Sequence, residues 1–180
     1  MKALLLTGRP GIGKTTLIRR VADALKGKQQ LAGFYTEEVR SGGERIGFRI
    51  VTFEGSSRVM ASVDIDSPHR VGKYGVDISA VDAIAEATLA PRGAKVFLVD
   101  EIGKMECFSV VFVEATRRLL AANQLIVASV AVKGGGLIEE VKRLPGVVLR
   151  EVTARNRDGL PSEVIQWVNE QLMHSDAERS

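Results

Sequence analysis

Residues 8 to 15 read Gly8-Arg9-Pro10-Gly11-Ile12-Gly13-Lys14-Thr15 and fill every position of the pattern G-x-x-x-x-G-K-[ST]. Residue types at that spacing are suited to holding phosphate. The glycines let the backbone turn tightly and bring successive N–H groups to an anion with no Cβ in the way. A helix starting at Lys14 points its unsatisfied N–H groups, with Thr15 and Thr16 in its first turn, at the same place. Lys14 brings a mobile ammonium to the β- and γ-phosphates, and Thr15 offers a hard hydroxyl oxygen to Mg²⁺. A plain Gly/Pro-rich turn explains neither the Lys-Thr pair at this offset nor the segments on either side. The loop reads as a cradle for a nucleoside triphosphate.

A second constellation follows far along the chain. Val96-Phe97-Leu98-Val99 is an apolar run that ends in two carboxylates, Asp100-Glu101. Ligands of open α/β sheets bind beyond the carboxyl ends of the strands, where the loop after the first strand also lies. That position suits Asp100 for holding Mg²⁺, directly or through a water. It suits Glu101 as the general base that polarises an attacking water. An acidic turn after a strand is common, so the pair gains its meaning from the phosphate loop.

The elements that must position these groups can be read from periodicity. Strands are predicted at 3–7, 33–39, 45–53, 59–62, 96–100, 125–132 and 147–152, and helices at 14–25, 79–89, 110–122, 137–143 and 161–172. The phosphate loop thus falls between the first strand and the first helix. Ser41-Gly42-Gly43 between two strand-like runs is a hairpin signal. From about residue 95 strand and helix alternate, which argues for parallel βα units. The continuously apolar runs at 96–99 and 125–128 fit strands covered on both faces. The expected fold is α/β in three layers, a mostly parallel sheet flanked by helices around the P-loop, with an antiparallel hairpin or meander inserted at about 33–63. One domain is expected over 1–173, and the polar tail 174–180 is expected to fray.

Composition sets bounds. The chain has 180 residues, 45% apolar and 26% charged, with a net charge of +3, which fits one soluble globular domain. That charge implies no nucleic-acid partner. Residues 34–73 carry six cations (Arg40, Arg45, Arg49, Arg58, Arg70, Lys73) against six acids (Glu37, Glu38, Glu44, Glu54, Asp64, Asp66), a mixed solvated face and not a phosphate-tracking stripe. Phe34, Tyr35, Phe48 and Phe53 are spaced for strand packing, not for stacking bases. No run approaches a membrane span, and the short apolar start leads straight into the phosphate loop, so a cytoplasmic protein is expected. The single cysteine, Cys107, cannot form an internal disulfide and reads as a packed residue, not a nucleophile.

Five blocks together carry a resemblance: the phosphate loop, Gly33-Phe34-Tyr35-Thr36-Glu37-Glu38-Val39-Arg40, Arg45-Ile46-Gly47-Phe48, Val71-Gly72-Lys73-Tyr74, and Asp100-Glu101-Ile102-Gly103-Lys104-Met105-Glu106. They resemble the small P-loop nucleoside-triphosphatases first described from thermophiles, whose vertebrate relative is called cancer-related nucleoside-triphosphatase. The similarity runs from residue 1 to about 172. It implies a Mg²⁺-dependent phosphohydrolase that cleaves the γ-phosphate of ATP, GTP and other NTPs (CTP, UTP and TTP among them) with little base selectivity. The nucleotide-contacting segments it implies are 8–15 and 97–104, the latter including Asp100, Glu101, Gly103 and Lys104. The triplet Asn156-Arg157-Asp158 looks like the family's Asn-Arg near the last strand, and Arg157 there could reach phosphate or base.

Blander readings remain beside these. Lys104 and Arg157 are also ordinary solvated loop residues, and Lys133, at the end of a core strand, is either a γ-phosphate sensor or a surface lysine. Asp100-Glu101-Ile102-Gly103 formally fits the D-x-x-G of a GTP-driven switch, but no Asn-Lys-x-Asp follows. A kinase acting on a nucleotide or small molecule would need an acceptor site that the sequence does not identify. One chain can supply every group named, so a monomer is expected.

Overall fold

A computed structural model describes residues 2–90 and 93–177. Five strands form the centre: β1 (Ala3–Thr7), β2 (Leu31–Ser41), β7 (Val96–Ile102), β8 (Leu125–Val130) and β9 (Val147–Glu151). β3 (Glu44–Thr52), β4 (Ser57–Ser62), β5 (Arg70–Val71) and β6 (Tyr74–Val76) extend the sheet on one side. The spatial order is β5-β6-β4-β3-β2-β7-β8-β1-β9. Pairing is parallel from β2 through β9 and antiparallel from β2 out to β5.

Helices cover both faces, which explains why the central strands are apolar throughout. Side chains alternate across the sheet, so Ala3, Leu5, Phe97, Val99, Ile126 and Ala128 pack on one side. That side is covered by α2 (Ile78–Thr88), α3 (Val110–Ala121) and α4 (Leu137–Arg143). Leu4, Leu6, Val96, Leu98, Leu125 and Val127 pack on the other against α1 (Lys14–Leu25) and α5 (Leu160–Ala177). Side-chain caps fix two helix starts: Asp77 accepts from the Ala80 N–H at 3.2 Å, and Ser109 from the Phe112 N–H at 2.9 Å.

The three-layer α/β expectation holds, with differences of extent. The insertion continues past residue 63 into β5 and β6, strands of two and three residues that are too short to show a period. Tyr74 holds them in place: its hydroxyl donates to the Arg45 carbonyl at 3.2 Å, and its ring packs edge-on to Phe48. α5 runs on to Ala177, where the Ser175 hydroxyl donates to the Gln171 carbonyl at 2.8 Å. Residues 178–180 of the expected tail lie outside the described residues. Among the described residues no helix is long and apolar enough to cross a membrane.

Candidate active site

The parallel order places the ends of β1, β7 and β8 side by side, and the groups singled out in the sequence meet there. The phosphate loop joins β1 to α1. Gly11 and Gly13 hold φ of 74° and 111°, a region that side-chain-bearing residues rarely adopt. A Cβ on either would meet nothing within 4 Å, so the concave side of the loop stays open for a ligand. Gly8 is needed for another reason: a Cβ there would sit 2.6 Å from the Val152 carbonyl oxygen. The Ile12 side chain packs under the loop in the apolar layer, so only its backbone faces the cradle.

Lys14 is the first residue of α1 and is almost fully buried. Its ammonium donates to the Gly8 carbonyl at 3.0 Å and lies 3.5 Å from Glu101 Oε2. These contacts aim the cation across the loop toward the end of β7. Thr15 and Thr16 follow in the first turn, Thr16 exposed.

A bulge in β7 brings both carboxylates to the site. Against β8 the register steps from Val99↔Ala128 to Ile102↔Val130, so β7 spends one residue more than its neighbour. In a regular strand Asp100 and Glu101 would point to opposite faces. Here both meet the phosphate loop, and the peptide bond between them is cis. Asp100 is 1% exposed. Its Oδ2 accepts from the Thr15 hydroxyl at 2.6 Å and from the Thr36 hydroxyl at 3.4 Å, while Oδ1 accepts from the Ser129 hydroxyl. Burial pushes the Glu101 carboxyl above its ordinary range; Lys14 pulls it back and Asp100 pushes it further up.

A cavity of about 640 Å³ opens beside Lys14 and Glu101, lined also by Gly8, Arg9, Pro10, Val132, Lys133 and Glu151 among others. Lys133 is thus a wall of the cavity. Lys104 is not: it lines a separate groove of about 420 Å³ with Arg70, Val71, Gly72 and Phe108. Arg157 lies in the turn before α5, half exposed, 3.9 Å from Asp158 Oδ1, and is not among the lining residues. Gly103 packs beside the Glu101 side chain and is not among the lining residues. Burial pushes the Cys107 thiol up to about 12, which fits its reading as a packed residue.

Thr36 and Ser129 were not evident from the sequence. They come from β2 and β8, the two neighbours of β7, and only strand pairing brings them to Asp100. A lone serine in the otherwise apolar run Leu125-Ile126-Val127-Ala128-Ser129-Val130 is the signal that the sequence offers for Ser129.

Comparison with known proteins gives concordant matches. The sequence model of a family described as NTPase matches residues 3–165. Nucleoside-triphosphatase THEP1 of Thermotoga petrophila is 40% identical over 164 residues, 90% of this chain and 90% of that one. The human cancer-related nucleoside-triphosphatase is 38% identical over 181 aligned positions, covering 92% of this chain and 95% of its own. The crystal structure of THEP1 from Aquifex aeolicus superposes with a TM-score of 0.85 at 38% identity, over 92% of this chain and 98% of that chain.

Proposed function

The chain belongs to the NTPase family, and from that membership and the site geometry we propose that it hydrolyses nucleoside triphosphates to diphosphate and phosphate at the γ-position. The observation that carries the reading is the convergence of two neighbouring pairs: Lys14 and Glu101 line one cavity 3.5 Å apart, and Thr15 and Asp100, each adjacent in the chain to one of them, are hydrogen-bonded at 2.6 Å. Such a reaction needs its charge stabilised and its water positioned, and little else from the protein.

Thr15 Oγ1 and the Asp100 carboxylate would hold Mg²⁺. Two hard oxygens 2.6 Å apart fit an ion that takes few protein ligands and completes its shell with phosphate oxygens and water. When bound, the ion neutralises charge shared between the β- and γ-phosphates. Backbone N–H groups of the loop and of the first turn of α1 bind the phosphates. Lys14, aimed by the Gly8 carbonyl, meets the γ-phosphate oxygens. Glu101 accepts a proton from a water in line with the β–γ bridge. The water oxygen bonds to phosphorus, the bridging P–O bond breaks, and its electron pair leaves on the diphosphate.

Low base selectivity is supported by Pro10 and Val132 in the cavity lining, apolar surface that any base can pack on. ATP, GTP, CTP, UTP and TTP are the proposed substrates. The free thiol of Cys107 supports a reducing, cytoplasmic setting, and one chain supplies every group named, so a monomer suffices.

The test is phosphate release from all five triphosphates and their diphosphates, with and without Mg²⁺. Mg²⁺-dependent release from the triphosphates is expected, without an added acceptor. Lys14→Ala should lower kcat/KM by roughly 10²–10³. Release that Lys14→Ala leaves unchanged would overturn the reading.

A further inference from the structure

Glu106 is a buried carboxyl for which the reaction above has no task. It lies in the single-turn helix Glu106–Phe108 that follows β7, and it is 4% exposed. Its carboxyl packs against the α-carbon of Gly103: a Cβ placed on Gly103 would sit 2.7 Å from Glu106 Oε2. That same point is 3.3 Å from both Cγ and Oε1 of Glu101. Both glutamates therefore crowd the position that a Gly103 side chain would take, and its absence is what lets both approach.

The backbone around Glu106 is held at several points. The Cys107 N–H donates to the Gly103 carbonyl at 3.0 Å, the Ser109 N–H to the Glu106 carbonyl at 3.0 Å, and the Ala131 N–H of the neighbouring strand end to the Ile102 carbonyl at 3.1 Å. Ser109 in turn caps α3 and donates to Asp82 of α2. Glu106 thus stands on a fixed base and presses its carboxyl toward the turn that carries Glu101.

We propose that Glu106 is a positioning residue: its carboxyl packs into the space left open at Gly103, so that the turn after β7 holds the Glu101 carboxylate toward Lys14 and the phosphate loop. Burial, with the charges of Glu101 and Asp100 adding to it, pushes the Glu106 carboxyl up to about 8, while the N–H groups of Glu106 and Gly103 facing it act in the opposite sense. At neutral pH it is mostly protonated, so it fills the space with little added negative charge beside the pair. An amide of the same shape can do the same work. A shorter acid cannot, because it withdraws by one methylene from Gly103.

The inference rests on Glu101 as the base, so the test carries a readout that needs no turnover. Glu106→Gln and Glu106→Asp are compared with wild type for kcat and KM of phosphate release, and for amide hydrogen exchange over 101–108 in the nucleotide-free protein. Glu106→Gln should keep kcat within about threefold and the wild-type exchange pattern. Glu106→Asp should lower kcat about 10- to 100-fold with KM nearly unchanged, the range seen when an outer support of a site is lost, and exchange over 101–108 should quicken. Wild-type kcat and exchange in Glu106→Asp would overturn the proposal. So would a Glu106→Gln variant as impaired as Glu106→Asp. Should wild type release no phosphate, the hydrolysis reading falls, and the exchange comparison alone still decides whether Glu106 holds the turn.

Discussion

The Thr15 hydroxyl donates to Asp100 Oδ2 at 2.6 Å across a separation of 85 residues. The contact joins the phosphate loop to the end of β7 through the two oxygens proposed for the metal. Thr15→Val and Asp100→Asn should each lower Mg²⁺-dependent kcat by on the order of 10² or more, since each removes a preorganised charge-stabilising contact. Titrating Mg²⁺ against phosphate release checks this. Thr15→Ser keeps the oxygen and should retain most of the activity; loss equal to that of Thr15→Val would count against a ligand role.

Glu101 stands 3.5 Å from the Lys14 ammonium, and its carboxyl is shifted upward mainly by burial. Glu101→Gln should cost kcat roughly 10²–10⁴, the usual contribution of a general base, with nucleotide affinity kept. The sign of the pH effect follows from the role. A base works only when ionised, so kcat should fall as pH drops through the raised Glu101 value, and this acid limb should lie above the ordinary carboxylate range. A kcat that stays flat down to the ordinary carboxylate range would exclude Glu101 as the base.

Ser129 is fully buried and donates to Asp100 Oδ1, opposite Thr15. Ser129→Ala should leave the fold intact, because the hydroxyl is a small part of β8. It should weaken Mg²⁺ dependence about 10- to 100-fold by freeing Asp100 to rotate. The apparent Mg²⁺ affinity from phosphate release is the measurement. An affinity like that of wild type would reduce Ser129 to a packing residue.

Ser129 also marks where legibility ended. The phosphate loop could be read because eight contiguous residues carry it, and the Asp100-Glu101 pair because it ends an unbroken apolar run. The central strands were legible for the same reason: with α2, α3 and α4 on one face and α1 and α5 on the other, both sides of β7 and β8 must be apolar. Thr36 and Ser129 each contribute one hydroxyl from a different strand, and no local spacing announces their meeting at Asp100. β5 and β6 are too short to show alternation. Lys104 is three residues from Glu101 in the chain, yet the turn after Ile102 directs it into the neighbouring groove with Arg70. Sequence distance says little about direction once a strand has ended.

The buried Glu106 makes stability depend on pH in an unusual sense. Its folded-state value of about 8 lies above the ordinary 4.5, so between those values the folded chain binds more protons than the unfolded one. The stability that this group allows is fully present below about pH 4.5, declines as pH rises, and is lost once pH has passed about 8. Most acidic residues paired with a cation act the other way. At about 1.4 kcal/mol per pKa unit, the loss across this window is on the order of a few kcal/mol. Glu106→Gln has no proton to lose, so its stability should be free of this slope. Thermal or urea denaturation of wild type and Glu106→Gln at pH 5, 7 and 9 checks it. The variant should be close to wild type at pH 5 and progressively more stable than wild type toward pH 9. Parallel stability curves for the two proteins would mean that Glu106 titrates in its ordinary range, and that relaxation around Gly103 hydrates its charge.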